Sequence, residues 1–214
     1  MKLSAGKLLH LFFRFLLRFL FSLLYKVRVY GWQNVPQTGP VLLLCNHQSF
    51  LDPPAVGMGA RRLLCYVGRD SLFDNLLFGK LLHAVDALPI KRGTADLSAM
   101  KLIIEKLKTG KAVVMFPEAT RTSDGRIADI KAGFGLVAKR SKATVVPVVI
   151  DGAFEVWPRT RKLPGLGRIT LVYGKPMSPQ HIEEIDSEQF AKEITDILKK
   201  MQSELRIRVG KNPF

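Results

Sequence analysis

The chain has 214 residues, 33 of them Lys or Arg against 18 Asp or Glu, which gives a formal charge of +15. That balance excludes an acidic disordered tail, and with 47% hydrophobic and 24% charged residues the chain has ordinary globular proportions, which leave room for one domain with a substantial core. Two cysteines, Cys45 and Cys65, are too few for a disulfide framework or a four-thiolate zinc site, so a reducing compartment is the default.

The charge is uneven. No Asp or Glu precedes Asp52, whereas Lys2, Lys7, Arg14, Arg18, Lys26 and Arg28 all fall in that stretch, so the amino-terminal end calls for an anionic partner. Leu8 to Leu24 is rich in Leu and Phe, but Arg14 and Arg18 cut it into runs shorter than the roughly 20 apolar residues of a membrane span. On a helix, Lys7, His10, Arg14 and Arg18 form one narrow stripe across a wide apolar surface. That pattern predicts an amphipathic helix lying in a bilayer interface, with residues 1–26 as a membrane-associating segment and 27–214 as the folded domain. The rival expectations are a core helix packed on its own domain and a signal peptide. Internal arginines and the lack of a small-residue cleavage pattern weigh against the latter.

Val27 to Tyr30 reads as a short strand and Gly31 to Pro40 as a loop. Four apolar runs, Val41 to Cys45, Ala112 to Phe116, Thr144 to Ile150 and Ile169 to Tyr173, are continuous, as strands buried on both faces should be. Leu88 to Arg92 is a further strand-like piece ending in two cations. Pro147 implies an edge or a bulge. Helical patterns cover Leu97 to Leu107, Gly133 to Arg140 and Ser187 to Arg206, the last with Asp186 and Gln189 at capping-box spacing. This alternation predicts an α/β fold: a central, mostly parallel or mixed sheet flanked by helices and preceded by the amphipathic helix.

The sharpest local signal is Asn46-His47-Gln48-Ser49-Phe50-Leu51-Asp52, directly after an apolar strand, because in open α/β sheets reactive groups gather beyond the carboxyl ends of strands. His47 suits a general base, and Asp52 can fix its tautomer and stabilise the imidazolium if the chain turns at Pro53 and Pro54. A second signal, Pro117-Glu118-Ala119-Thr120-Arg121-Thr122, follows another strand. If the strands are parallel, Arg121 shares an edge with His47 and presents a planar fork suited to phosphate, while Glu118 can accept from a hydroxyl. Arg92 and Lys131 add cations. The alternative for His47 is a loop histidine beside a helix cap.

Together these pieces resemble the 1-acylglycerol-3-phosphate (lysophosphatidic acid) acyltransferase family, the PlsC-type enzymes, from about Val27 to Pro176. The N-H-x-S-x-x-D block is Asn46 to Asp52, the arginine-ending block Ala87 to Arg92, the F-P-E-G-T-R-S block Phe116 to Thr122 and the V-P-V block Val146 to Val148. Ala119 stands where the family usually has Gly, Thr122 where it often has Ser and Asp86 where Gly is common. A methyl beside Glu118 in place of glycine is expected to reshape the acceptor pocket.

The resemblance implies an enzyme that moves an acyl group from acyl-CoA or acyl carrier protein to 1-acylglycerol 3-phosphate, giving phosphatidic acid in phospholipid biosynthesis. It assigns catalysis to His47 and Asp52 and substrate binding to Arg92, Glu118 and Arg121. Lys131 joins them as a further cation, and Asn46, Ser49, Pro117 and Thr120 support the motifs. The expected partners are a lysophospholipid acceptor, the thioester donor and a membrane surface reached through the amino-terminal helix, at the cytoplasmic face, with no nucleic acid. No cofactor or metal is implied, since His10, His47, His83 and His181 are scattered. The alternatives are another lysolipid acceptor such as a lyso-amino-acid lipid, a thioester hydrolase using Ser49 or Cys45, and a non-enzymatic basic membrane-binding protein.

Overall fold

The computed structural model describes residues 15–16, 19–90 and 97–214. Residues 15–16 and 19–25 are helical, and the latter stretch is α1. The elements that follow are β1 (Arg28–Tyr30), β2 (Val41–Cys45), α2 (Asp52–Gly59), β3 (Leu64–Arg69), α3 (Leu76–Ala84), β4 (Leu88–Ile90), α4 (Leu97–Lys108), β5 (Ala112–Met115), α5 (Gly133–Ser141), β6 (Thr144–Asp151), the short α6 (Ala153–Val156), β7 (Thr170–Tyr173), α7 (Pro179–Glu184) and α8 (Ser187–Arg208). The strands form one seven-stranded sheet in the order β1-β7-β6-β2-β5-β3-β4. Every neighbouring pair is parallel except β6 with β7. The carboxyl ends of β2, β3, β4, β5 and β6 therefore share one edge.

β2 is central, and all five of its residues are fully buried. Val41, Leu43 and Cys45 face a layer containing Phe21 and Tyr25 of α1, Ala55 and Val56 of α2, and Val156 of α6. Leu42 and Leu44 face Ile103 and Leu107 of α4, Val137 of α5, and Phe190, Ile194 and Leu198 of α8. Burial on both faces is why β2 reads as an unbroken apolar run rather than an alternating one. The capping box at the start of α8 forms as its spacing predicts, with the Asp186 side chain accepting from the Glu188 and Gln189 amides and Gln189 Oε1 accepting from the Asp186 amide.

Pro147 lies in an interior strand, opposite Leu44, not at an edge. It occupies the gap on β6 between Val148, which pairs with the last residue of β7, and Val145, which bridges to Met177. The missing N–H thus falls where the neighbouring chain departs, and the Pro147 carbonyl accepts from Gly174. Among the described residues no helix is long and apolar enough to cross a membrane. α1 buries Phe21 and Tyr25, whose rings meet edge to face at 5.1 Å, and exposes Phe19, Leu20, Leu23 and Leu24.

Candidate active site

Beyond Cys45 the chain leaves β2 through Asn46, whose side chain extends the sheet for one more step. Its Nδ2 donates to the Ile150 carbonyl at 3.0 Å and its Oδ1 accepts from the Ile150 amide at 2.7 Å, so the carboxamide stands in for a peptide unit of β6's neighbour. An aspartate there would lack the donor. The next residues turn back so that Asp52, at the start of α2, meets His47: Nδ1 and Oδ2 are 2.8 Å apart. The same Oδ2 accepts from the amides of Gln48 at 2.6 Å and Ser49 at 2.7 Å, while Pro53 and Pro54 occupy first-turn positions of α2 where no N–H is needed. Asp52 is fully buried, which pushes its carboxyl above the ordinary carboxylate range against the opposing pull of His47 and the two amides.

The imidazole stacks on Phe116, with centroids 4.3 Å apart and planes 27° from parallel, and its side chain is 12% exposed. With Nδ1 taken by Asp52, Nε2 is the nitrogen left for a reacting proton. His47's own peptide is clamped. Its N–H donates to Glu118 Oε1 at 2.7 Å and its carbonyl accepts from the Thr122 amide at 2.8 Å, which joins the two sequence blocks at the candidate base itself. Glu118 Oε2 accepts from the Ala128 amide at 3.1 Å, so this carboxylate also holds the segment leading to Lys131 and α5. Burial raises the Glu118 carboxyl, and the two amides oppose that shift.

The Arg121 guanidinium lies over the Phe50 ring at 3.6 Å, and Phe50 packs against Trp157 at 5.1 Å. The fork is thereby fixed one residue from the amide that holds His47. Ser49 is buried, its hydroxyl donating to the Trp157 carbonyl at 2.9 Å and accepting from the Leu51 amide. Pro117 is buried at the second position of the turn closed by the Ala119 amide and the Phe116 carbonyl. Thr120 and Lys131 are exposed. Arg92 lies outside the described residues; β4 ends at Ile90, on the edge that carries His47. Sequence reasoning missed Phe116 as the platform of the imidazole, Phe50 as that of Arg121, and Gln48, which bridges the Gly125 carbonyl and the Phe154 amide. Phe116 and Phe50 sit inside the two motifs, but nothing in their spacing shows that they stack.

A family model described as Acyltransferase matches residues 26–151, more than half of the chain, and that span contains both strand-end motifs. The chain belongs to the acyltransferase family. This acyltransferase is 28% identical over 190 residues to the 1-acyl-sn-glycerol-3-phosphate acyltransferase of Bacillus subtilis, covering 88% of this chain and 92% of that protein. It is also 28% identical over 157 residues to the chloroplastic LPAT1 of Arabidopsis thaliana, a 1-acyl-sn-glycerol-3-phosphate acyltransferase. That match spans 72% of this chain and 44% of the plant protein. Its fold matches the crystal structure of the 1-acyl-sn-glycerophosphate acyltransferase PlsC from Thermotoga maritima. The TM-score is 0.81 at 24% identity, over 95% of this chain and 82% of that one.

In this acyltransferase Ala119 takes φ = 58°, the left-handed conformation in which glycine is unstrained. The turn keeps its glycine-like shape and the methyl bears the cost. Ala119→Gly should therefore raise stability by about 1 kcal/mol, or about 2–4 °C in a thermal melt, with little change in turnover. A lower melting temperature would contradict the strain.

Proposed function

We propose that this acyltransferase transfers a fatty acyl group from an acyl thioester to the free hydroxyl of 1-acylglycerol 3-phosphate, forming phosphatidic acid for phospholipid synthesis. The observation that carries this reading is the His47–Asp52 pair, fixed by its own peptide to the turn that bears Arg121. His47 Nε2 accepts the hydroxyl proton as the oxygen attacks the thioester carbonyl carbon, and Asp52 holds the tautomer and stabilises the imidazolium. The C–S bond then breaks, the thiolate takes the proton back from Nε2, and the new ester remains on the glycerol. No covalent enzyme intermediate is required.

Arg121 neutralises the acceptor phosphate, joined by Arg92 on the strength of the family motif and by Lys131 as an additional cation. Glu118 builds the pocket wall, and the lone pairs its two amide contacts leave over are available to the glycerol portion. The donor is acyl-CoA or acyl carrier protein, both anionic, and a chain of charge +15 attracts either. Residues 1–26 serve as the membrane segment and 27–214 as the catalytic domain. The exposed apolar residues of α1 support peripheral attachment, at a cytoplasmic face where the thioester is in water and the two free cysteines stay reduced.

The hydrolase alternative is poorly supported. Cys45 is fully buried, its thiol donates to the Asn46 carbonyl, and burial pushes its pKa well up, while the Ser49 hydroxyl is committed to Trp157. A panel of lysolipids offered with each thioester tests the reading, with ester formation and thiol release measured together. Release matched to ester formation on 1-acylglycerol 3-phosphate is expected; full-rate release without acceptor would sink it. Arg121→Ala should raise the acceptor KM by roughly 10- to 100-fold, the loss of one charged contact, with the donor KM little changed. An unchanged acceptor KM would remove Arg121 from the phosphate site.

A further inference from the structure

Between α6 and β7 the chain makes an eleven-residue excursion, 158–168, that the reaction does not use. It is a structured loop. The Gly165 amide donates to the Val156 carbonyl at 2.8 Å and closes the neck, the Arg161 amide donates to the Pro158 carbonyl at 3.1 Å, and the Trp157 indole donates to the Arg161 carbonyl at 3.0 Å. Yet it holds Leu163 and Leu166 in water, 74% and 80% exposed. Around them Arg159, Arg161, Lys162 and Arg168 are all exposed, and no Asp or Glu occurs from Val156 to Ile182. Single exposed leucines are common on protein surfaces, but two within one eleven-residue stretch carrying four cations and no acid are a patterned surface.

The loop is also placed beside α1. The Ile169 amide donates to the Tyr25 carbonyl and the Arg28 amide to the Ile169 carbonyl, each at 3.0 Å. Leu166, Gly167 and Arg168 line one cleft of about 480 Å³ together with Leu23, Leu24 and Lys26. The exposed apolar face of α1 thus continues into the loop. At its other end the loop follows Trp157, which touches Phe50 and accepts from Ser49 in the candidate active site.

We propose that residues 158–168 form a second lipid-contacting element, with Leu163 and Leu166 entering the acyl region of an anionic bilayer while the four cations engage its headgroup phosphates. Together with α1 it sets the orientation in which the His47 edge of the sheet faces the leaflet. The proposal deepens the functional reading by naming the surface on which the acceptor is met, and it rests on that reading for the acceptor only. An acidic carrier protein would satisfy the cations but leaves the two leucines and their continuity with α1 without a role.

The test reads membrane contact directly, without turnover. Because the native cysteines are buried, Leu163→Cys in the full chain can be labelled selectively with a polarity-sensitive fluorophore. Lys108→Cys, exposed just before β5 at the opposite end of the sheet, serves as the control. With vesicles of phosphatidylcholine and phosphatidylglycerol the probe at 163 should brighten, shift to the blue and be quenched by acyl-chain spin labels, more weakly with phosphatidylcholine alone, and the probe at 108 should not respond. Water-like emission at 163 on protein that has sedimented with the vesicles would overturn the proposal, as would a response to purified acyl carrier protein in place of vesicles. Leu163→Ser combined with Leu166→Ser should weaken vesicle binding roughly tenfold or more while sparing transfer to a detergent-dispersed acceptor; unchanged vesicle affinity would equally overturn it.

Discussion

His47→Ala should lower acyl transfer by roughly a thousandfold, the worth of a positioned general base, and should do so in kcat with donor and acceptor binding little changed. The fold should survive. The imidazole lies at the strand ends, 12% exposed, and Asp52 keeps the Gln48 and Ser49 amides after the ring is gone. What is lost beside the base is the stacking on Phe116 and the partner of a buried carboxylate. The Asp52 carboxyl would then be raised further, because burial penalises its charge and the hydrogen bond from the imidazole no longer opposes that shift. Steady-state kinetics on both substrates, with circular dichroism to confirm the fold, checks this, and turnover near that of the parent chain would eliminate His47 as the base.

The second large effect belongs to Glu118. Its two oxygens accept from amides on two different segments, His47 and Ala128, so Glu118→Gln keeps one acceptor and turns an NH₂ group towards the other N–H. Losing a hydrogen bond to a half-buried carboxylate costs about 1.5–3 kcal/mol, which corresponds to a fall of roughly 5–10 °C in melting temperature for a chain of this size. The loosened peptide is that of His47 itself, and a displacement of about 1 Å there is worth about a hundredfold in kcat. A melt and a kcat measurement on the same preparation test both parts. If only the acceptor KM changed, Glu118 would be a ligand of the glycerol portion and no clamp.

The strands at the centre of the sheet were readable because their pattern is simple. β2, β5 and β6 are buried on both faces, so each is an uninterrupted apolar run with nothing to confuse it with a helix face. α8 was readable from its capping box and its 3.6-residue stripe. β3 was not, because Leu64–Arg69 begins buried and ends exposed and carries Gly68, so it shows neither a run nor an alternation. α2 was hidden for a different reason. Its sequence, Asp-Pro-Pro-Ala-Val-Gly-Met-Gly, has two prolines and two glycines and no amphipathic stripe, since it is enclosed rather than laid on a surface.

The sequence alone determined the chemistry at stake: a histidine and an aspartate after one strand, an arginine and a glutamate after another, and an acid-free apolar amino terminus. Those are properties of residue type and local order, which neighbours along the chain suffice to specify. Only the tertiary structure decided that Glu118 and Thr122 grip the peptide of His47, that Phe116 and Phe50 carry the His47 and Arg121 side chains, and that the 158–168 loop lies against α1. Contacts between residues 71 positions apart, such as Glu118 with His47, arise from the order in which strands enter the sheet. No local pattern encodes that order, because it is fixed by burying the two faces of the sheet beneath the helices all at once.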